Sequence, residues 1–178
     1  NKFDKLALYG DSEGLSYGYA PTPELTNIGS FEKGWRLIDG SWWLYKQGND
    51  LERFSEIFVY EFGKALGLSV AKYEPDGTFI RTPDFTDGAK VNFEAAEGIV
   101  GDNEDYAFNF RSFEKLSSEV ARQYVAMLYM DTLCMNMDRH TKNYGVLRDV
   151  QTGKVLSLAP LFDHNVALLA RGYPGSRE

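Results

Sequence analysis

The sequence predicts an α+β fold with a strand-rich first half and a helical second half, and three observations predict it. Asp39-Gly40 separates two β-rich runs, residues 35–38 and 42–46, the strongest short-range signal for a two-residue hairpin turn. From Asp50, and again from Ser117 or Ser118, apolar residues recur at helical spacing. A polar loop after the second helix then leads into another hairpin pattern. Strands and a helix, a connecting stretch, a helix, a polar loop and a hairpin describe segregated α+β rather than alternating strand and helix.

Taken in order, "ALYGDSEGLSYGYAP" reads as short strands and turns punctuated by Gly10, Gly14 and Gly18. After the first hairpin, Leu51, Phe54, Ile57, Phe58, Phe62, Ala65 and Leu66 mark a helix capped by Asn49 or Asp50 and stopped by Gly67. "LSVAKYE" and "TFIRTPDF" read as strands joined by a Pro75-Asp76-Gly77 turn. The mixed stretch from Thr86 to Ser112, with Asp102, Glu104 and Asp105, reads as a connecting segment. Ala121, Tyr124, Val125, Leu128, Thr132 and Met135 form one face of the second helix. Tyr144 to Val150 and Lys154 to Leu158 then form a hairpin about Gln151-Thr152-Gly153.

Composition narrows the function classes. With 178 residues, 43% hydrophobic and 15% aromatic, the chain has the material for a real core as one domain or two small lobes, so global disorder is excluded. A net charge of −7 argues against unaided nucleic-acid binding, which needs a basic face. No apolar run approaches the roughly 20 residues of a membrane span, and no signal-peptide pattern is present. The single Cys134 points to a reducing, cytoplasmic setting. The first residue is Asn1 rather than Met, so a longer or processed natural N-terminus is expected.

The polar loop "MNMDRHTKNYG", residues 135–145, carries the chemistry. Phosphoryl transfer needs a carboxylate near the attacking hydroxyl, oxygen ligands for Mg²⁺ and a cation on the nucleotide phosphates. Asp138 and Asn143 stand five residues apart, the offset of the catalytic-loop Asp and metal-binding Asn of protein kinases, and Asp163 follows the hairpin in "LFDHN". Asn143 and Asp163 are the hard oxygen donors Mg²⁺ takes. Lys46 ends a strand, and Glu52, Glu56 and Glu61 lie on the helix after it, as in the strand-lysine and helix-glutamate pair of kinases. Spacing does not choose among the three glutamates. Each feature alone has a bland counterpart: Asp–Asn pairs occur in solvated loops, and surface Lys–Glu pairs contribute little. Their joint occurrence in kinase order carries the argument. His140 and His164 with Asp138 and Asp163 form an alternative, transition-metal set, which leaves Lys46 and Asn143 unemployed. Otherwise His140 orients the loop, Arg139 and Lys142 balance charge or are solvated, and Cys134 packs.

"TNIGSFEKGWR", "SWWLYKQG", "FSEIFVYEFGKALGLSVAKYE" and "MDRHTKNYGVLRDVQTGKVLSLAPLFDHN" together resemble the HipA-like kinases over roughly residues 25–168. These are bacterial serine/threonine protein kinases of two lobes, several of them toxins paired with DNA-binding antitoxins. The resemblance implies a protein-kinase-like fold with a strand-rich first lobe at 1–85, a connector at 86–112 and, at 113–178, the start of a helical second lobe. It implies Asp138 as catalytic base, Asn143 and Asp163 as Mg²⁺ ligands, and Lys46 on the ATP phosphates with Glu56 as its partner. Gly29, Ser30 and Lys33 match the family's phosphate-covering loop, which is not a Walker A sequence. By position, the backbone from Pro83 to Phe85 meets adenine, where Pro83 has only a carbonyl to offer. The implied function is transfer of the ATP γ-phosphoryl group to a Ser or Thr hydroxyl of a protein. The chain departs from the family in two places: only fifteen residues, 164 to 178, follow Asp163, and His-Asn stands where the family has Phe-Gly or Asn-Gly. A lipid or small-molecule kinase shares the loop motif, and a truncated binding module is the non-enzymatic rival.

Overall fold

The computed structural model describes residues 33–86 and 90–170, so Gly29, Ser30 and the turns predicted before them lie outside the described residues. β1 (Lys33–Ile38) and β2 (Ser41–Lys46) pair antiparallel about Asp39 and Gly40. Both turn residues have positive φ, 49° and 79°, the backbone a primed two-residue turn demands. α1 (Asp50–Ala65) begins in a capping box: the Asn49 side chain accepts from the Leu51 and Glu52 amides while Glu52 accepts from the Asn49 amide. β3 (Glu74–Asp76) and β4 (Phe79–Pro83) complete an antiparallel sheet of order β1-β2-β4-β3.

One strand differs from the sequence-based expectation. The stretch from Leu68 to Tyr73 lies outside the sheet, and the turn falls at Gly77-Thr78 rather than Pro75-Asp76-Gly77. Its backbone is engaged elsewhere. The Ala71 amide donates to the Leu161 carbonyl (2.8 Å) and the Leu161 amide to the Ser69 carbonyl (2.9 Å), an isolated parallel bridge. Apolar alternation alone does not reveal which backbone a segment will meet.

The second half contains β5 (Val91–Ala95), α2 (Glu97–Val100), α3 (Tyr106–Leu116), α4 (Ser118–Cys134), β6 (Gly145–Asp149) and β7 (Val155–Leu158), closed by a short 3₁₀ turn at Ala167–Leu169. Residues 86–112, read from mixed composition as a connecting segment, therefore carry a strand, a short helix and part of α3. β5, β6 and β7 form a second antiparallel sheet in that order. Gly145 stands opposite Ala95, and a Cβ there would lie 2.1 Å from the Glu94 carbonyl oxygen. The main core gathers Phe113, Tyr124, Met127, Met130, Tyr144 and Val146 between α3, α4 and this sheet.

Both long helices form where periodicity places them, yet neither buries its most obvious apolar stripe. On α1, Leu51, Phe54 and Phe58 are 62%, 57% and 39% exposed, while Glu52, Ser55, Glu56 and Val59 are buried. On α4 the buried face is Val120, Ala121, Tyr124, Met127, Met130, Asp131 and Cys134, so Val125, Thr132 and Met135 of the predicted face are exposed. α4 offers apolar residues on more than one side, and contact with the rings of Phe113 and Tyr144 selects the buried one. On α1 the selection is polar: the buried face meets charged and hydrogen-bonding groups from two other segments.

One such segment contains His164, which is fully buried. The Ser55 hydroxyl donates to the carbonyls of His164 (2.7 Å) and Ala167 (2.9 Å), and the His164 amide donates to Glu56 Oε2 (2.9 Å). Arg139 Nη2 lies 2.7 Å from His164 Nε2, and its Nε and Nη2 donate to the two oxygens of Asp131 at 2.8 and 2.9 Å. Burial, reinforced by the Arg139 charge, pushes the His164 imidazole well below its ordinary range, so the ring is neutral. With Arg139 donating to Nε2, the ring proton sits on Nδ1.

Two tests follow from this packing. Gly145→Ala has no flexible side chain to displace and is expected to lose about 1–3 kcal/mol, read as a lower Tm; Gly98→Ala, whose Cβ would meet nothing closer than 3.4 Å, should lose nothing. For His164 the folded pKa lies below the unfolded one, so its stabilisation is present above about pH 6.5 and is lost as pH falls, because only the unfolded chain takes up the proton. Urea unfolding at pH 7.5 and 5.5 should show a loss of about 1.4 kcal/mol from this group in the wild type that His164→Gln lacks. Equal pH slopes in the two proteins would refute the assignment.

Candidate active site

β2 ends at Lys46, whose pairing with Ile80 turns its side chain inward, where it is 6% exposed. A buried ammonium requires charged or hydrogen-bonding partners. Lys46 Nζ donates to Glu56 Oε1 (2.7 Å), Asp163 Oδ1 (2.7 Å) and the Tyr73 hydroxyl (3.2 Å). The three glutamates left open by spacing are now distinguished. Glu52 is spent in the capping box, Glu61 is exposed beside Lys64, and Glu56 alone of the three reaches Lys46.

The electrostatics follow from that triangle. Burial alone would lower the Lys46 pKa, but Glu56, Tyr73 and Asp163 hold it well above its ordinary value. Burial alone would raise Asp163, but the charges of Lys46, Lys33 and Arg139 hold its carboxyl far below the usual carboxylate range. Burial, then the Glu56 charge, pushes the Tyr73 phenol up, so it stays protonated.

Asp163 is held in an uncommon backbone conformation, with φ at 62°. The bridge between Val70 and Leu161 brings Tyr73 alongside it, and the Asp163 amide faces the Tyr73 hydroxyl at 3.4 Å. Arg139 Nη1 fixes the preceding carbonyl of Phe162 (2.8 Å) and that of Asn143 (2.6 Å). His-Asn after Asp163 thus has a local explanation, since His164 is anchored through its amide, carbonyl and ring.

Lys33, Lys46, Pro83, Phe85, Asn143 and Asp163, all singled out from the sequence, line one cavity of about 360 Å³. Its apolar wall includes Trp35, Leu44, Ala71, Phe93, Ala95 and Phe162. Phe85, Phe93 and Phe162 form a ring cluster with centroids 5.7–5.8 Å apart. Burial lowers the Lys33 pKa against the opposing charge of Asp163. The Asp84 amide is committed to the Trp42 carbonyl (2.9 Å), so it is not offered to the cavity that Pro83 and Phe85 line. At the opposite rim Lys142 lies 3.5 Å from Glu97.

Asp138 is placed differently. It is exposed and lines a neighbouring cavity of about 330 Å³, not the one that holds Lys46. Asn143 links the two: its side chain lines the first cavity while its Nδ2 donates to the Asp138 carbonyl at 2.9 Å. His140 shapes the loop, its carbonyl accepting from the Asn143 amide (2.8 Å) and its Nδ1 from the Lys142 amide (3.3 Å). The alternative set of two histidines and two aspartates does not assemble, because His164 lies in the interior beside Arg139; no group of three or more His, Cys, Asp or Glu side chains is arranged for a metal among the described residues.

Sequence reasoning missed Tyr73, Phe93 and Phe162, and left Arg139 as a charge-balancing or solvated residue when its side chain is buried at the hub of the loop. Its place in the polar loop of residues 135–145 was the available signal for Arg139. Tyr73 had none, because its position depends on the bridge to Leu161.

No protein-family model matches the chain, and no curated protein matches it. Among solved structures it is similar to the proinflammatory kinase CtkA of Helicobacter pylori, with a TM-score of 0.65 at 19% identity over 78% of this chain and 56% of that one. It is also similar to the HipA, HipB and operator DNA complex of the Shewanella oneidensis MR-1 toxin–antitoxin system, with a TM-score of 0.55 at 14% identity over 83% of this chain and 45% of that one. The chain spans about half the length of the structures it matches. At such identities the likeness is one of fold: the chain has the kinase-like α+β fold of the parts of those structures that it covers, strand-rich in its first part and helical with a second sheet thereafter.

Proposed function

We propose that this chain carries the catalytic centre of a HipA-like protein kinase, which transfers the γ-phosphoryl group of ATP to a Ser or Thr hydroxyl. The observation that carries the proposal is the convergence of Lys46, Glu56 and Asp163, with both Lys46 contacts at 2.7 Å, on a cavity that Asn143 also lines. The apolar wall around Phe85, Phe93 and Phe162 suits a purine, and the Lys33 and Lys46 ammonium groups suit its phosphates. A DNA-binding antitoxin as partner, a role as a toxin and a cytoplasmic location extend the proposal by the same likeness; no helix among the described residues is long and apolar enough to cross a membrane.

The donor set fits Mg²⁺, which takes one or two protein oxygens and completes its shell with phosphate oxygens and water. Asp163, kept ionised by its neighbours, supplies a carboxylate. Asn143 spends its amide nitrogen on the Asp138 carbonyl, which leaves the amide oxygen as the ligand end. The cation, when bound, neutralises charge on the phosphates. Glu56 restrains Lys46 from behind, so the ammonium is oriented before nucleotide arrives. In the transfer, the acceptor hydroxyl oxygen bonds to the γ-phosphorus as the bond from that phosphorus to the β,γ-bridging oxygen breaks. ADP leaves with the electron pair, and the hydroxyl proton passes to the Asp138 carboxylate.

Calorimetric titration with Mg·ATP tests the nucleotide half: Asp163→Ala should weaken binding by about tenfold or more, and equal affinity in both proteins would remove the metal-ligand assignment. Asp138→Asn should instead lower transfer by about 10²-fold or more with nucleotide affinity retained, because the carboxylate opens onto the other cavity. Label appearing in lipid or metabolites, with none in protein, would replace the acceptor class. Lys46→Met leaves the buried Glu56 and the partly buried Asp163 without their cation and should cost about 3–5 kcal/mol, part of which Glu56→Gln in the same chain should restore.

A further inference from the structure

The cavity that Asp138 faces has its own chemistry, and the inference drawn from it rests on the kinase proposal above. Three carboxylates line it, those of Asp102, Glu104 and Asp138. One cationic side chain, Arg139, shares the wall, but its guanidinium is already bound to Asp131, to the Asn143 and Phe162 carbonyls and to His164. The balance of charge facing the cavity is negative.

A second, independent feature is a buried acceptor without a donor. Asn109, Tyr124 and Thr141 line the same cavity at 1%, 1% and 4% exposure, and Asn109 Oδ1 and the hydroxyls of Tyr124 and Thr141 have no hydrogen-bond partner; the hydroxyls can donate or accept, so Asn109 Oδ1 is the group that can only accept. The Asn109 nitrogen is already used, donating to the Asn103 carbonyl (2.8 Å) and the Tyr144 hydroxyl (3.3 Å). An unpartnered buried acceptor is destabilising, and a donor from a ligand would offset that cost. The wall also presents the exposed ring of Tyr106 and the side chain of Met137, surface for an aliphatic stem and a ring face for a cation.

We propose that this cavity receives an Arg or Lys side chain that flanks the acceptor Ser or Thr, so that the protein substrates are basic segments. An ammonium or guanidinium supplies several donors and no acceptors, the complement of this wall. A hydroxyl a few atoms along the same peptide then lies beside Asp138, and the net charge of −7 on the chain draws basic segments in from solution.

Fluorescence anisotropy with two short labelled peptides, each with one Ser flanked by Arg or by Glu, tests this. The Arg-flanked peptide should bind the wild type at least about tenfold more tightly, with affinity falling as salt rises. The double variant Asp102→Asn/Glu104→Gln, at two exposed positions, should lose about tenfold in that affinity while melting as the wild type does. Equal binding of the two peptides, or an Arg-peptide affinity untouched in the double variant, would overturn the proposal. Binding of free argininamide with the same sensitivity to the variant, and of neither peptide, would overturn the protein source of the cation. Mg·ATP binding to the wild type is titrated separately. Its absence alongside an intact preference for the Arg peptide would sink the kinase proposal and uphold the preference of the cavity.

Discussion

The buried ammonium of Lys46 is the constraint around which the rest is arranged. An unpaired charge inside a protein is costly enough that the chain must bring partners to it or leave it outside. Here the partners come from three places far apart in sequence: Glu56 from α1, Tyr73 from the segment bridged to Leu161, and Asp163 from beyond the second hairpin. Each is itself tied to the others' segments, Glu56 through the His164 amide and Tyr73 through the Asp163 amide. One lysine at the end of an edge-side hairpin therefore fixes how the first sheet, α1 and the residues after β7 meet.

That constraint accounts for the unusual burial of α1. A helix normally turns its apolar stripe inward, yet here Leu51, Phe54 and Phe58 face outward and Glu52, Ser55 and Glu56 inward. Buried ion pairs seldom stabilise a fold relative to well-packed apolar residues, although breaking one is severe. Fold stability alone therefore gives no reason to bury this face. A site that needs a fixed cation and a permanently ionised carboxylate does give one, and the kinase proposal supplies that need.

The legibility of the sequence divides along the same line. Features set by local chemistry were readable: the Asp39-Gly40 turn, the Asn49 cap, the Gly67 stop and the second hairpin all stand where their residues place them. Readable too was that Lys46, Asn143 and Asp163, far apart along the chain, belong together, since all three line one cavity, whereas Asp138 faces its neighbour. Features set by what a segment meets were not. Leu68 to Tyr73 has a strand's composition but pairs through a lone bridge, α4 offers two apolar sides, and the mixed composition of residues 86–112 hid β5, which brings Phe93 to the cavity wall. Choosing Glu56 over Glu52 and Glu61 likewise required knowing which helix face meets the end of β2.

The placement of Asp138 then becomes intelligible. Were its carboxylate in the same cavity as Asp163, two anions would compete for Lys46 and for any cation bound there, and one would be driven toward its neutral form. Setting Asp138 in the neighbouring cavity, with Asn143 on the wall of the first and bonded to the Asp138 backbone, separates the two tasks. Arg139 ties the two together: one guanidinium grips Asp131 on α4, the Asn143 carbonyl and the Phe162 carbonyl, so the loop and the segment before Asp163 share one anchor. Under the kinase proposal, the geometry that divides the charges is the geometry that would keep a phosphate donor on one side and a hydroxyl acceptor on the other.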